Sequence, residues 1–299
     1  MTDERKDEPH ALTIIGDRIN PGFKSTRAML DADDLAAVQA LALRQAQAGA
    51  AALDVTIGPR AGADPAFLVE VIRAIQAAVD VPLCFDYPDS AIQKVCLEVY
   101  DQDRALGRKP IVNSLAETRW EMTELFKIRP FTVMLMASER LEGGTPRPNK
   151  TSAEIAGTAR RAALRLVREH GVALNDIIVD VTVSALVVDT AGQNRAALEA
   201  IRAIGSDPEL KGIHISGGMT NIAQQLPAKA ADGSDLKRQL ERAFVTVAMP
   251  LGLDTILATP WHEFTPLPED NFVLAIFRQI LSLSGTDVLR QVRKLYRPA

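Results

Sequence analysis

Eight short apolar runs, each followed by a helical pattern, recur along the whole of this chain. They are A-L-T-I-I-G-D (11–17), A-L-D-V-T-I-G (52–58), V-P-L-C-F-D (81–86), P-I-V-N-S (110–114), F-T-V-M-L-M-A (131–137), D-I-I-V-D-V (176–181), G-I-H-I-S-G (212–217) and D-T-I-L-A-T (254–259). Most are continuously apolar, as strands covered on both faces of a parallel sheet must be. The segments between them carry helix punctuation. Asp33 is placed to cap a helix with Leu35, Val38 and Ala42 on one face, stopping at Gly49. Asp64 before Pro65 reads as an N-cap with proline at the first helical position. Thr151 and Glu154 form a capping box for a long helix that Gly171 ends, and further helices are expected from about Asp270 and over residues 286–296. Eight strand–helix units is the count of an α/β protein of the (β/α)8 barrel type. A doubly wound open sheet ranks second, because no G-x-G-x-x-G follows the first strand. No Gly-, Pro- or Ser-rich linker interrupts the series, so residues 11–299 are expected to form one domain behind a polar tail, residues 1–10.

Composition narrows the function classes. The net charge is -4 and no dense Lys/Arg cluster stands out, which disfavours a nucleic-acid partner. No apolar run approaches the ~20 residues of a membrane span, and the charged N-terminus lacks the apolar centre of a signal peptide. A cytoplasmic protein without a membrane partner is therefore expected. Cys84 and Cys96 both sit in apolar patterns and read as buried free thiols. The histidines at 10, 170, 214 and 262 are scattered without zinc-ligand spacing, so no metal is expected. His214, inside a strand, reads as a satisfied core or supporting histidine. The glycine pairs at 143–144 and 217–218 lack the lysine of a phosphate loop, and no G-x-S-x-G elbow is present.

A barrel of this kind keeps its chemistry where the strands end. Those ends carry Asp17 and Asn20, Asp54 and Thr56, Asp86, Asn113, Asp180 and Asn221, with no cationic cradle among them. One such residue alone is ordinarily a cap or loop anchor, as Asp33, Asp64 and Asp207 are expected to be. Several at the ends of different strands point to a ligand. A carboxylate accepts two parallel hydrogen bonds from a planar N–H/NH2 pair, and the 2-amino-4-oxo edge of a pterin presents one. Side-chain amides donate and accept at once, which suits mixed ring nitrogens. The loops at 139–150 and 219–234 are the longest and suit a lid or docking surface.

The stretches I-I-G-D-R-I-N (14–20), G-A-A-A-L-D-V-T-I-G-P (49–59), L-C-F-D (83–86), I-V-N-S (111–114), V-D (179–180), G-M-T-N-I-A-Q (218–224) and the segment around 243–254 follow one another in a familiar order. In that order the chain resembles the pterin-binding TIM barrels of dihydropteroate synthase type, and within them the methyltetrahydrofolate:corrinoid protein methyltransferases. The resemblance implies methyl transfer between N5 of 5-methyltetrahydrofolate or tetrahydrofolate and the cobalt of cobalamin. It implies pterin binding by Asp86, Asn113 and Asp180, with Asn221 hydrogen-bonding N5, Asp86 and Asn221 serving catalysis, and Gln224 and Asp17 contributing to the substrate site. Asp17 stands where the family usually has Glu, and Thr56 where it usually has Asn. No D-x-H-x-x-G motif is present, so the corrinoid is expected on a separate corrinoid-binding protein; the family also implies a homodimer. Three other readings stay open. A dihydropteroate synthase-like enzyme would want basic residues that S-G-G-M-T and A-T-P-W-H do not offer. A non-catalytic folate-binding subunit would bind without transferring. An aldolase-like lyase would want a lysine at a strand end.

Overall fold

All eight apolar runs become strands of one parallel sheet in the computed structural model, which describes residues 12–297. In chain order they are β1 (Thr13–Ile19), β2 (Ala52–Val55), β3 (Leu83–Asp86), β4 (Ile111–Leu115), β5 (Thr132–Met136), β8 (Ile177–Asp180), β9 (His214–Ser216) and β10 (Thr255–Ala258). The sheet order is β10-β1-β2-β3-β4-β5-β8-β9. Backbone bonds from Asp254 N–H to the Ile215 carbonyl (3.3 Å) and from Leu257 N–H to the Gly217 carbonyl (3.1 Å) join its two edges. This is a nearly closed (β/α)8 barrel, which excludes the open doubly wound sheet. The first strand lies two residues beyond the expected 11–17, and the polar tail expected over residues 1–10 lies outside the described residues.

The 139–150 segment, expected as a long loop, is an antiparallel hairpin of β6 (Glu139–Glu142) and β7 (Thr145–Pro148). Helices α1 (Lys24–Asp31), α2 (Leu35–Gln47), α3 (Arg60–Ala63), α4 (Pro65–Ala78), α5 (Ser90–Val99), α6 (Ser152–His170), α7 (Gln193–Gly205), α8 (Leu236–Ala248), α9 (Phe272–Leu281) and α10 (Thr286–Lys294) surround the strands. Between β4 and β5 the chain forms tight turns over Glu117–Lys127, broken at Arg119 (φ -132°, ψ 44°). The caps follow the sequence with one correction. Asp34 caps α2 by accepting from Ala37 N–H at 2.9 Å. Asp33 instead adopts φ +52° and pairs with Arg60 Nη1 at 2.6 Å, so the carboxylate nearer the helix has taken the orphan N–H. Asp64 accepts from Phe67 N–H, the Thr151/Glu154 box forms, and Asp207 caps a short turn over Pro208–Leu210.

Strand phase positions the site. Ile15, Ala52, Cys84, Ile111, Met134 and Ile178 pack with Leu257 into an apolar plug inside the barrel. Alternate residues of a strand face the same side, so the residues two further on also point inward. Those residues are Asp17, Asp54, Asp86, Asn113, Met136, Asp180 and Thr259. Intervening residues such as Leu53, Phe85, Val112, Val133 and Val179 are buried in the outer cores. The barrel is therefore oily below and lined with acids above, at the C-terminal ends of its strands.

Candidate active site

The ring begins with two carboxyls on adjacent strands. Asp54, buried at 3% exposure, accepts a hydrogen bond from Asn113 Nδ2 at 3.2 Å, and Asn113 is the register partner of Asp86. Burial pushes Asp54 well above the usual carboxylate range, and the charge of Asp86 adds to the push; the bonds from Cys84 and Asn113 only partly oppose it. Asp86 is also raised by burial, against the opposing cation of Arg119. Two carboxylates on neighbouring strands of a low-dielectric interior resist ionising together. Asp180 is raised to about 6 by burial, although Thr182 N–H (2.7 Å) and Thr182 Oγ1 (3.4 Å) both donate to it. Asp17 is likewise raised to about 6 by burial, against Arg18 and the hydroxyls of Thr220 and Thr259. Opposite Asp180 in register lies Ser216, whose Oγ is buried without a hydrogen-bond partner among the described residues. Such an orphan group and a ring of desolvated acids together call for a ligand rich in N–H donors.

Side chains from the outer helices hold the ring in shape. Between the register pairs Gly16–Leu53 and Ile19–Val55, β1 has two residues where β2 has one, so a bulge takes Arg18 out of the ladder. Gln45 from α2 accepts from Arg18 N–H at 2.9 Å, and Thr26 from α1 donates to the Arg18 carbonyl at 2.8 Å. That pinning fixes the adjacent Asp17. Gln93 of α5 is fully buried, with its Nε2 within hydrogen-bond distance of the carbonyls of Phe85 (2.7 Å), Tyr87 (3.0 Å) and Asn113 (3.1 Å). It thereby ties the ends of β3 and β4 together around Asp86. Thr182 has φ +58°, an uncommon conformation for a β-branched residue, and its bonds to Asp180 hold it there.

Of the residues singled out in the sequence, Asp17, Asp86, Asn113 and Asp180 share the inward phase of the ring. Asn221 lies in the tight turn Met219–Asn221 just beyond β9, where its Oδ1 accepts from Gln224 Nε2 at 2.8 Å. That bond orients the amide. Asn20 and Thr56 are turn anchors, accepting from Gly22 N–H (2.8 Å) and Gly58 N–H (3.1 Å) respectively. His214 bonds Asp254 at 2.7 Å on the strand seam at the far end of the barrel, away from the ring. Two participants were not among the site residues assigned from the sequence. Asp54 stood at a strand end, but only its inward phase and its bond to Asn113 place it in the ring. Arg119 corrects the expectation of a mouth without cations: it donates to Ser114 Oγ at 3.0 Å and its charge reaches Asp86. It comes from an irregular segment, where no periodicity could have announced it.

The family model described as pterin binding enzyme matches residues 18–257, which contain Asp54, Asp86, Asn113, Asp180 and the Asn221 turn. The chain belongs to the pterin-binding enzyme family. A relative in Eubacterium limosum, methylcorrinoid:tetrahydrofolate methyltransferase, is 28% identical to this pterin-binding barrel over 292 residues, covering 96% of each chain. Among solved structures, dihydropteroate synthase from Stenotrophomonas maltophilia superposes with a TM-score of 0.56 at 15% identity, over 91% of this chain and 94% of that one. The Burkholderia cenocepacia dihydropteroate synthase complexed with 7,8-dihydropteroate gives 0.54 at 18% identity, over 92% of each. At such identities the structures establish the shared fold alone. Among the described residues no helix is long and apolar enough to cross a membrane.

Proposed function

We propose that this pterin-binding enzyme transfers a methyl group between N5 of tetrahydrofolate and the cobalt of a corrinoid carried by a separate protein. The observation that carries the reading is the ring of Asp54, Asp86, Asn113 and Asp180, whose acids are raised by burial and stand ready to accept N–H donors. The pyrimidine edge of a pterin offers such donors in a planar pair, and each charge-assisted bond of this kind is worth ~1.5–3 kcal/mol. The full-length likeness to a protein named for methylcorrinoid and tetrahydrofolate supports the same choice of substrates.

The chain's own residues would then divide the work. Asp54, Asp86, Asn113 and Asp180 hold the pterin ring and keep water from it. Asn221, oriented by Gln224, hydrogen-bonds N5 beside the methyl group. A methyl on this amine departs badly unless N5 gains a proton bond as the C–N bond lengthens, and a positioned donor there is worth ~10²–10⁴ in rate. The amide of Asn221 does not titrate near neutrality, so it steadies that bond while the proton comes from a carboxyl. The corrinoid supplies the cobalt centre that takes or gives the methyl, and both directions use the same site.

The deciding experiment mixes purified protein, 5-methyltetrahydrofolate and free cob(I)alamin and follows the cobalamin absorbance. Conversion to the methylated spectrum supports the reading; tetrahydrofolate binding without conversion in either direction removes it in favour of a folate-binding subunit. Pteroate formation from a pterin pyrophosphate and p-aminobenzoate would favour the dihydropteroate synthase alternative.

A further inference from the structure

A second cavity lies at the other end of the barrel, where β1, β9 and β10 begin. It measures about 1020 Å³ and is lined by the end of α7, the turn after α8 and the loop before α9. Most of its wall is apolar, with Ile204, Leu210, Met249 and Leu253 among the contributors, and Thr13, Lys211, His214 and Asp254 line it too. A large apolar hollow with a few polar groups is the usual form of a small-molecule site.

The protein itself occupies most of the polar atoms here. Asp254 Oδ1 accepts from Ile215 N–H (3.1 Å) and Thr255 Oγ1 (3.0 Å), while its Oδ2 lies 2.7 Å from His214 Nδ1. A carboxylate so close favours the imidazolium, in which Nε2 is a second donor, and this bond raises His214 above its ordinary 6.5. Thr246 Oγ1 donates to the Arg242 carbonyl (2.7 Å) and accepts from Leu267 N–H (2.9 Å). The other acids are neutralised: Asp207 by Arg160 (3.0 Å), Glu269 by Arg278 (2.9 Å), and Asp176, whose charge also reaches His214, by Lys109 (2.6 Å). Among the described residues nothing accepts from His214 Nε2, the Lys211 ammonium or the Thr13 hydroxyl. Since Asp254 balances His214, Lys211 leaves the lining with one uncompensated positive charge. A fitting guest is apolar along its body, accepts hydrogen bonds at its head and carries one negative charge.

We propose that this cavity is a second small-molecule site, which takes a monocarboxylate with an aliphatic or aromatic body, its head accepting from His214 Nε2 and its charge met by Lys211. None of the acid ring lines it, so the site stands independently of the methyl-transfer reading.

Calorimetry on the full chain tests this with indole-3-acetate and octanoate as probes, beside the neutral indole-3-ethanol and 1-octanol and the dianion phenyl phosphate. At pH 6.5 each carboxylate should bind once per chain with a Kd of about 1 mM or tighter, about tenfold more tightly than its alcohol or phenyl phosphate. Saturating tetrahydrofolate should not displace it. Affinity should fall as pH rises through the folded value of His214, because the imidazolium is the form that donates from Nε2. His214→Gln should lose about tenfold in affinity together with that pH dependence. Lys211→Gln, at an exposed position, should weaken the carboxylates and leave the alcohols within about twofold. Equal affinity for acid and alcohol, a flat pH dependence in the wild type, displacement by tetrahydrofolate, or no saturable heat from either carboxylate overturns the proposal. Methyl transfer is assayed without these probes, so its failure leaves this site standing.

Discussion

Replacing Asp180 by asparagine should make the protein more stable and a poorer folate binder at once. Asp180 is raised from its ordinary 3.8 to about 6, so its folded state holds a proton more tightly than its unfolded state does. Stability from this group is fully present below about pH 4 and is lost as pH rises through 6; at pH 8 the buried carboxylate is a liability. The full difference amounts to about 3 kcal/mol, which partial exposure at the barrel mouth cuts to about 1–2 kcal/mol. Asparagine does not titrate, and its Oδ1 still accepts from Thr182 N–H, now at 2.7 Å from Asp180. Asp180→Asn should therefore unfold at higher guanidinium concentration than wild type at pH 8, and at nearly the same concentration at pH 4.5. Its tetrahydrofolate affinity should fall by about 10–150-fold, the worth of one charged hydrogen bond. A variant destabilised at both pH values, or stabilised equally at both, would refute the burial argument. Unchanged folate affinity would refute the role of Asp180 in the ring.

Asn221→Ala should lower kcat by ~10²–10⁴ with a much smaller change in tetrahydrofolate Kd, measured by single-turnover absorbance and calorimetry; equal losses in both would make Asn221 a binder only. The His214–Asp254 bond raises His214 above its ordinary 6.5, so its contribution is present below that pH and lost as pH climbs through the folded value. The stability gap between wild type and His214→Gln should thus be larger at pH 5.5 than at pH 8.5, and a gap independent of pH would contradict this. Asp34→Ala should cost ~1 kcal/mol in denaturant unfolding and Asp33→Ala less, since only Asp34 caps α2.

Strand phase made most of the barrel readable. Six of the eight apolar runs carry a polar residue two positions beyond an inward-facing plug residue, as with Cys84 and Asp86 or Ile178 and Asp180. That spacing is a covalent property of strands and survives without knowledge of neighbours. What the sequence hid depends on contacts across long separations. Asp54 joins the ring through Asn113, 59 residues away, and Gln93 acts by reaching the carbonyl of Asn113 twenty residues on. Arg119 arrives from turns with no repeating pattern. Asp33 and Asp34 could not be told apart as caps, because the choice was made by Arg60, which pulls Asp33 away from the helix. The hairpin over residues 139–148 was read as a loop because its strands are exposed and charged, so no apolar alternation marked them.

Calorimetry of tetrahydrofolate binding at pH 6, repeated in phosphate and in Tris, tests most directly whether desolvated acids grip the N–H edge of the folate. Donors arriving at these carboxyls favour their ionised form, so binding should expel protons, about half of one from Asp180 alone at its midpoint. The apparent heat should then differ between the two buffers, and affinity should rise from pH 5.5 to 7.5. Identical heats in both buffers with a flat pH dependence, or no heat at all, would contradict the account.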